Sequence, residues 1–197
     1  MGQSIVTPKG RVSFPHVFEA YGFQNQAPKF SIQLILEKGI PANEEFVTKL
    51  KAVIMATIAD KWPDSEKRPL KPQLALKDGD IWLADDGSLK KDKYPEYGGA
   101  WVISAGNTRA PGVVDENIAP ILDRNEFYAG CYAQISITPF AYDNVKKGVS
   151  FSLGNVRKDS DGEPFGARGT SAEQDFGPPN EGPGKAPAAE EADSIFN

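Results

Sequence analysis

A mainly β fold is predicted for this chain: a five-stranded, partly open barrel with one inserted α-helix and long loops, followed by a disordered acidic tail. Three observations predict it. Apolar and polar residues alternate in several stretches, the period becomes helical only once, and the last 39 residues change composition altogether. With 197 residues, 40% of them hydrophobic, the chain has material for a single core and too little for two full domains.

The first alternating stretch is "GRVSFPHVF", a strand broken at Pro15, which points to an edge or a bulge. His16, the only histidine, sits here and reads as a strand residue. After the turn-rich "EAYGFQNQAP", the run "KFSIQLILEK" sets Phe30, Ile32, Leu34 and Leu36 on one side and Ser31, Gln33 and Ile35 on the other, a half-buried strand. Phe14, Phe30, Phe46 and Phe151 all lie on apolar rows and read as core.

The period then changes. In "PANEEFVTKLKAVIMATIADKWP", Phe46, Leu50, Ile54 and Ile58 recur every four residues, which predicts a helix capped by Asn43 or a neighbour and stopped near Pro63. Lys67 to Gly99 is rich in Pro, Gly, Lys and Asp and reads as a long loop or hairpin holding a short strand at "IWLAD". Strands resume at "GAWVISAG", "EFYAGCYAQISITPFAY" and "KKGVSFSLGNVRK", with "DNVKKG" as the turn between the last two. Within "CYAQISIT", Cys131, Ala133, Ile135 and Ile137 share a core face, leaving Tyr132, Gln134, Ser136 and Thr138 on the wet one. Gly130 suits a tight barrel corner. The strand count matches the oligonucleotide/oligosaccharide-binding (OB) fold best.

Charge divides the chain. Residues 1–158 carry a net +2, whereas residues 159–197 carry −7 and include six Gly and five Pro. The organisation expected is an OB-fold domain over 1–158 and a flexible acidic Gly/Pro-rich tail over 159–197, too poor in apolar surface to fold. Such asymmetry points toward a polyanionic partner.

Several chemistries are disfavoured by residue counts. One cysteine, Cys131, excludes an intramolecular disulfide and a cysteine-rich zinc cluster, and one histidine excludes a polyhistidine metal site. No phosphate-binding or dinucleotide fingerprint occurs, and no cofactor is implied. The N-terminal "MGQSIVTPKGRVSF" lacks the basic start and apolar run of a secretory leader, and Val6 breaks a myristoylation pattern, so the cytoplasm is expected.

Binding to single strands needs aromatic faces for bases among cations for phosphates. The stretch "LKKDKYPEYGGAW" interleaves Lys90, Lys91 and Lys93 with Tyr94, Tyr97 and Trp101. Lys29 at a strand start, Arg109 in "NTRAPG" and Tyr132 on the wet face complete the candidate nucleic-acid contacts. The rival chemistry is a metal-dependent nuclease using Asp78, Asp80, Asp85 and Asp86; a structural or assembly β-barrel with a solubilising tail is the non-nucleic-acid alternative. The tail closes on "EEADSIFN", where Glu190, Glu191 and Asp193 precede Ile195 and Phe196, apolar anchors suited to a partner's pocket.

Through "GRVSFPHVFEA", "PKFSIQLILEK", "RAPGVVD", "FYAGCYAQISITPFAY" and "KKGVSFSLGNVRKDSDGEPFG", residues 9–168 resemble a family of bacteriophage single-stranded DNA-binding proteins. The resemblance implies an OB-fold that binds single-stranded DNA without catalysis during phage replication, in the infected host cell. Duplex DNA and RNA are the weaker ligands to expect. The acidic tail with an aromatic near its end also resembles single-stranded DNA-binding proteins, which use it to recruit replication or recombination enzymes. Here the tip departs from that pattern, since Asn197 follows Phe196.

Overall fold

The structure, a computed structural model, describes residues 3–22 and 27–166. Its strands are β1 (Ile5–Val6), β2 (Gly10–Tyr21), β3 (Lys29–Glu37), β4 (Gln73–Leu74), β5 (Leu76–Asp78), β6 (Ala100–Asn107), β7 (Val113–Val114), β8 (Tyr132–Asp143) and β9 (Lys147–Ser160). Helix α1 (Pro41–Lys61) separates β3 from β6, and a four-residue helical turn, α2 (Lys90–Lys93), lies in the connection between β5 and β6. No helix among the described residues is long and apolar enough to cross a membrane.

Five of the strands are long and form the barrel: β8, β2, β3 and β6 pair antiparallel in that order, β6 pairs parallel with β9, and β9 returns antiparallel to β8. The closing β6–β9 seam is short, Ala105 with Phe151 and Gly106 with Ser152, so the barrel is partly open as the sequence implies. The four short strands add to its edges. This is an OB-type architecture.

Strand parity in β8 follows the sequence: Cys131, Ala133, Ile135 and Ile137 are buried, while Tyr132, Gln134, Ser136 and Thr138 are half-buried on the other face. The barrel interior adds Val12, Ile32, Leu34, Leu36, Ile103, Phe151 and Leu153. Helix α1 closes one end against β8 and β9 with Val47, Leu50, Ile54 and Ile58, each aliphatic side chain stabilising the fold by roughly 1.5–3 kcal/mol on full burial.

Local details differ from expectation where backbone chemistry overrides pattern. The helix N-cap is Ile40, with Pro41 in the first turn, where its missing N–H is no loss. Asn43 is instead buried and donates from Nδ2 to the Glu37 carbonyl at 2.9 Å. Phe30 is only half-buried, as is Phe46, which packs at the core margin. "IWLAD" is a turn with one bridge, Leu83 to Leu89, and the ladder next to β6 is made by β5 just before it. Strand β8 begins at Tyr132, the preceding Arg124–Glu126 forming a 3-10 turn capped by Asp123. The folded unit also runs beyond residue 158: β9 continues to Ser160 and the compact unit ends at Phe165.

Gly130 has a φ of +108°, its N–H donates to the Val12 carbonyl at 2.8 Å, and a Cβ there would lie 2.2 Å from the Glu163 carbonyl oxygen. Any side chain therefore meets both an unfavourable φ and a backbone wall. Gly130→Ala should cost about 2 kcal/mol or more. A thermal melt should register this as a fall of about 4–8 °C, and an unchanged melt would contradict the corner described.

Candidate nucleic-acid interface

Cross-strand registry draws one row over the outside of the barrel. Tyr132 of β8 faces Arg11 of β2, Arg11 faces Ile35 of β3, Ile35 faces Val102 of β6, and Val102 faces Lys77 of β5. The centre of this row is apolar and is covered: Ile35 and Val102 are only 6% and 0% exposed. The cover is Tyr97, from the 3-10 turn Pro95–Tyr97, with Trp82, Tyr94 and Phe165 around it. The Tyr97 hydroxyl donates to Gln33 Oε1, and burial pushes its phenol well above the ordinary value, so it stays protonated.

Aromatic rings continue from this cover across the face. Phe14 meets Tyr94 edge-on at 5.3 Å, Tyr94 meets Tyr97 at 5.4 Å, and Tyr97 stacks on Trp82 at 5.5 Å. Lys93 Nζ lies 5.5 Å from the Tyr94 ring centre and Lys90 Nζ 4.3 Å from that of Trp82. Phe14 is the exposed member, at 40%. Simple alternation would send it into the core, as the sequence pattern suggests. A break in the β2–β3 register between Ser13 and His16 and a φ of +47° turn it outward instead. Beside it runs a groove lined by Lys29, Ser31, Gln33, Ser104 and Gly106. A Cβ on Gly106 would lie 3.4 Å from Lys29 Cδ, so the lysine stem is laid along the floor. Small polar residues under a cation and beside an exposed ring offer room for a sugar-phosphate strand with its bases stacked.

The sequence-predicted residues divide accordingly. Lys29, Lys90, Lys93 and Tyr94 share this face. Tyr97 is beneath it, 1% exposed, and supports rings rather than offering one. Trp101 points to the opposite side of β6, where its Nε1 donates to Glu44 at 3.2 Å under Lys51 Nζ, 3.9 Å from the ring centre. Lys91 is paired with Asp80 at 3.5 Å. Arg109 is exposed in the turn after β6 and lines a separate groove with Asn107 and Asn155. Tyr132 occupies the far end of the outer row, with Lys9 Nζ at 5.1 Å and the Arg11 guanidinium at 5.8 Å from its ring centre. Glu190, Glu191, Asp193, Ile195 and Phe196 lie outside the described residues. Sequence reasoning missed Phe14, Trp82 and Lys77; the Pro15 that announces a bulge was the available signal for Phe14.

Three of the four aspartates of 78–86 serve local structure, and Asp85 is exposed. Asp78 and Asp80 both bind Lys38, at 2.5 and 2.7 Å, and Asp80 also accepts from the Gly99 N–H at 3.0 Å. Asp86 accepts from the Ser88 N–H at 3.0 Å. Among the described residues no group of three or more histidine, cysteine or carboxylate side chains is placed to hold a metal ion.

Fold and face together define an OB-type barrel with an aromatic, lysine-bearing outer surface. Residues 3–190 match the family described as Enterobacter phage Enc34, ssDNA-binding protein, and the chain belongs to that family. The single-stranded DNA-binding protein from bacteriophage Enc34, solved in complex with ssDNA, is 28% identical, with a TM-score of 0.68 over 83% of this chain and 89% of that one. Protein p50 of Acyrthosiphon pisum secondary endosymbiont phage 1 is 29% identical over 84% of this chain and 88% of its own length. At 10% identity, gp2.5, a single-stranded DNA-binding protein encoded by bacteriophage T7, shares the fold, with a TM-score of 0.58 over 85% of this chain and 91% of that one.

The Lys38 hydrogen bond, followed by that from the Gly99 N–H, holds the Asp80 carboxyl down at about 2 from an ordinary 3.8. A depressed carboxyl contributes stability that is complete above the unfolded value and lost as pH falls through the folded one. Carboxyl NMR titration should therefore place the Asp80 midpoint near 2, and Lys38→Gln should move it back toward the ordinary value. A midpoint near 3.8 in the unaltered protein would mean that the clasp does not form in solution.

Proposed function

We propose that the protein is a non-catalytic single-stranded DNA-binding protein that coats and protects exposed strands during phage replication and recombination in the host cytoplasm. The observation that carries this reading is Phe14, turned outward beside Tyr94 next to the serine- and glycine-floored groove under Lys29. Bases stack on the exposed aromatic edge while Lys29, Lys90 and Lys93 neutralise phosphates, a combination indifferent to base identity. Membership of the Enc34 family supports it, since a relative 28% identical was solved with ssDNA. Single-stranded DNA is then preferred over duplex DNA and RNA.

Phe14→Ala should weaken binding of an oligothymidylate by about 1–3 kcal/mol, read by fluorescence anisotropy, with the melting temperature nearly unchanged. About three to five phosphate contacts should give a slope of roughly −2 to −3.5 in log K against log salt. The oligonucleotide should stay full-length with magnesium present; degradation, or a slope near zero, would sink the reading.

The acidic tail has two roles in this proposal. Beyond Phe165, where the folded unit ends, it carries a net −4 that competes with DNA for the basic face, and its tip, steered by Glu190, Glu191 and Asp193, inserts Ile195 and Phe196 into a replication or recombination enzyme. Deleting residues 169–197 should strengthen DNA binding, most at low salt. Replacing Ile195 and Phe196 by Ala should leave DNA affinity unchanged while a polymerase, helicase or nuclease is no longer captured. Weaker DNA binding by the truncated chain, or capture undiminished in the double variant, would contradict these roles.

A further inference from the structure

The outer row ends at Lys77, which takes no part in the stacking path from Phe14 to Trp82. Its registry with Val102 places it outward, next to the covered apolar centre, and it is half-buried. Lys77 and Lys90 line one groove together with Gln73, Trp82 and Leu83. Among the described residues neither lysine forms an ion pair, whereas the neighbouring Lys91 and Lys38 are both held by Asp80. Of the two carboxylates on this groove, Asp78 is taken by Lys38, and Asp85 is exposed. Burial, with the neighbouring Lys90 charge adding to it, pushes the Lys77 ammonium below its ordinary value. Two cations held together, one of them half-desolvated, are unfavourable in the free protein unless an anion comes between them.

We propose that Lys77 and Lys90 clamp one backbone phosphate of the bound strand, extending the nucleic-acid path past Trp82 into the groove beside β4 and β5. The inference rests on the outer face being the DNA surface. A phosphate is the anion that fits, because the pair adjoins the same aromatic series that ends on Trp82 and because one doubly hydrogen-bonded oxyanion satisfies both ammonium groups. Lys90 now lies over the Trp82 ring; drawn onto a phosphate, it uncovers that ring for a base.

The test uses the full-length protein and an oligothymidylate titrated across a range of salt. Lys77→Gln combined with Lys90→Gln should flatten the salt slope by about 0.7, the value for one phosphate. Either single substitution should produce most of that loss, because one cation alone does not make the clamp. Lys77→Gln should melt no lower than the unaltered protein, since it relieves a half-buried like-charge pair, and Lys51→Gln, on the far side of β6, should leave the slope unchanged. Losses that add to about 1.4 would mean two separate phosphate contacts and overturn the clamp. An unchanged slope in the double variant, with Phe14→Ala still weakening binding, would overturn it while leaving the outer face as the DNA surface. If Phe14→Ala also has no effect, that surface is wrong and the clamp falls with it.

Discussion

Ile35 and Val102 point away from the barrel interior, and neither can be left to water. Each belongs to a continuous apolar run, Leu34-Ile35-Leu36 in β3 and Trp101-Val102-Ile103 in β6, so both faces of this strand pair demand burial. The barrel core and α1 take one face. The other needs a second cover, and Tyr97 provides it, its hydroxyl satisfied by Gln33 so that a polar atom can sit over apolar neighbours. Trp82, Tyr94, Lys90 and Lys93 follow from that docking, because they are carried by the same connection between β5 and β6. The candidate interface is thus built on the lid that the sheet requires, and the lid is clasped at its base by Lys38 with Asp78 and Asp80.

How much of this was legible in the sequence depends on whether neighbouring residues or distant ones set the outcome. Period located the helix, the inward face of β8 and the five long strands, apart from the end of β2 at Glu19–Tyr21, which reads as loop, because burial on one side writes itself into alternation. Ile35 was the clue that alternation failed in β3: a large aliphatic on a supposedly wet face signals a second layer. The layer itself comes from some sixty residues downstream, a separation that no local pattern records. Tyr97 and Trp101 looked equivalent in "YPEYGGAW", yet four residues and the start of a strand send one above the sheet and the other below it. Phe14 escaped for the opposite reason, since its outward turn is set locally, by a bulge at Pro15 that reverses parity.

Net charge was the weaker guide. An excess of +2 over residues 1–158 says little about affinity for a polyanion, and much of the positive charge is internally spent. Lys9, Lys38, Lys91, Lys147 and Lys158 each face a carboxylate. Lys29, Lys77, Lys90 and Lys93 form no ion pair among the described residues, and all four lie against the ring series from Phe14 to Trp82 or the grooves at its two ends. At physiological salt a charge acts over about 8 Å, so a strand lying on this face responds to these lysines and hardly at all to the chain total. A protein of overall charge −5 can therefore favour a polyanion, provided that its unpaired cations and its exposed rings occupy the same surface. Covering Ile35 and Val102 with the β5–β6 connection brings Trp82, Lys90, Lys93 and Tyr94 to that surface, where the bulge at Pro15 has turned Phe14 outward, so the character of this face follows from packing rather than from composition.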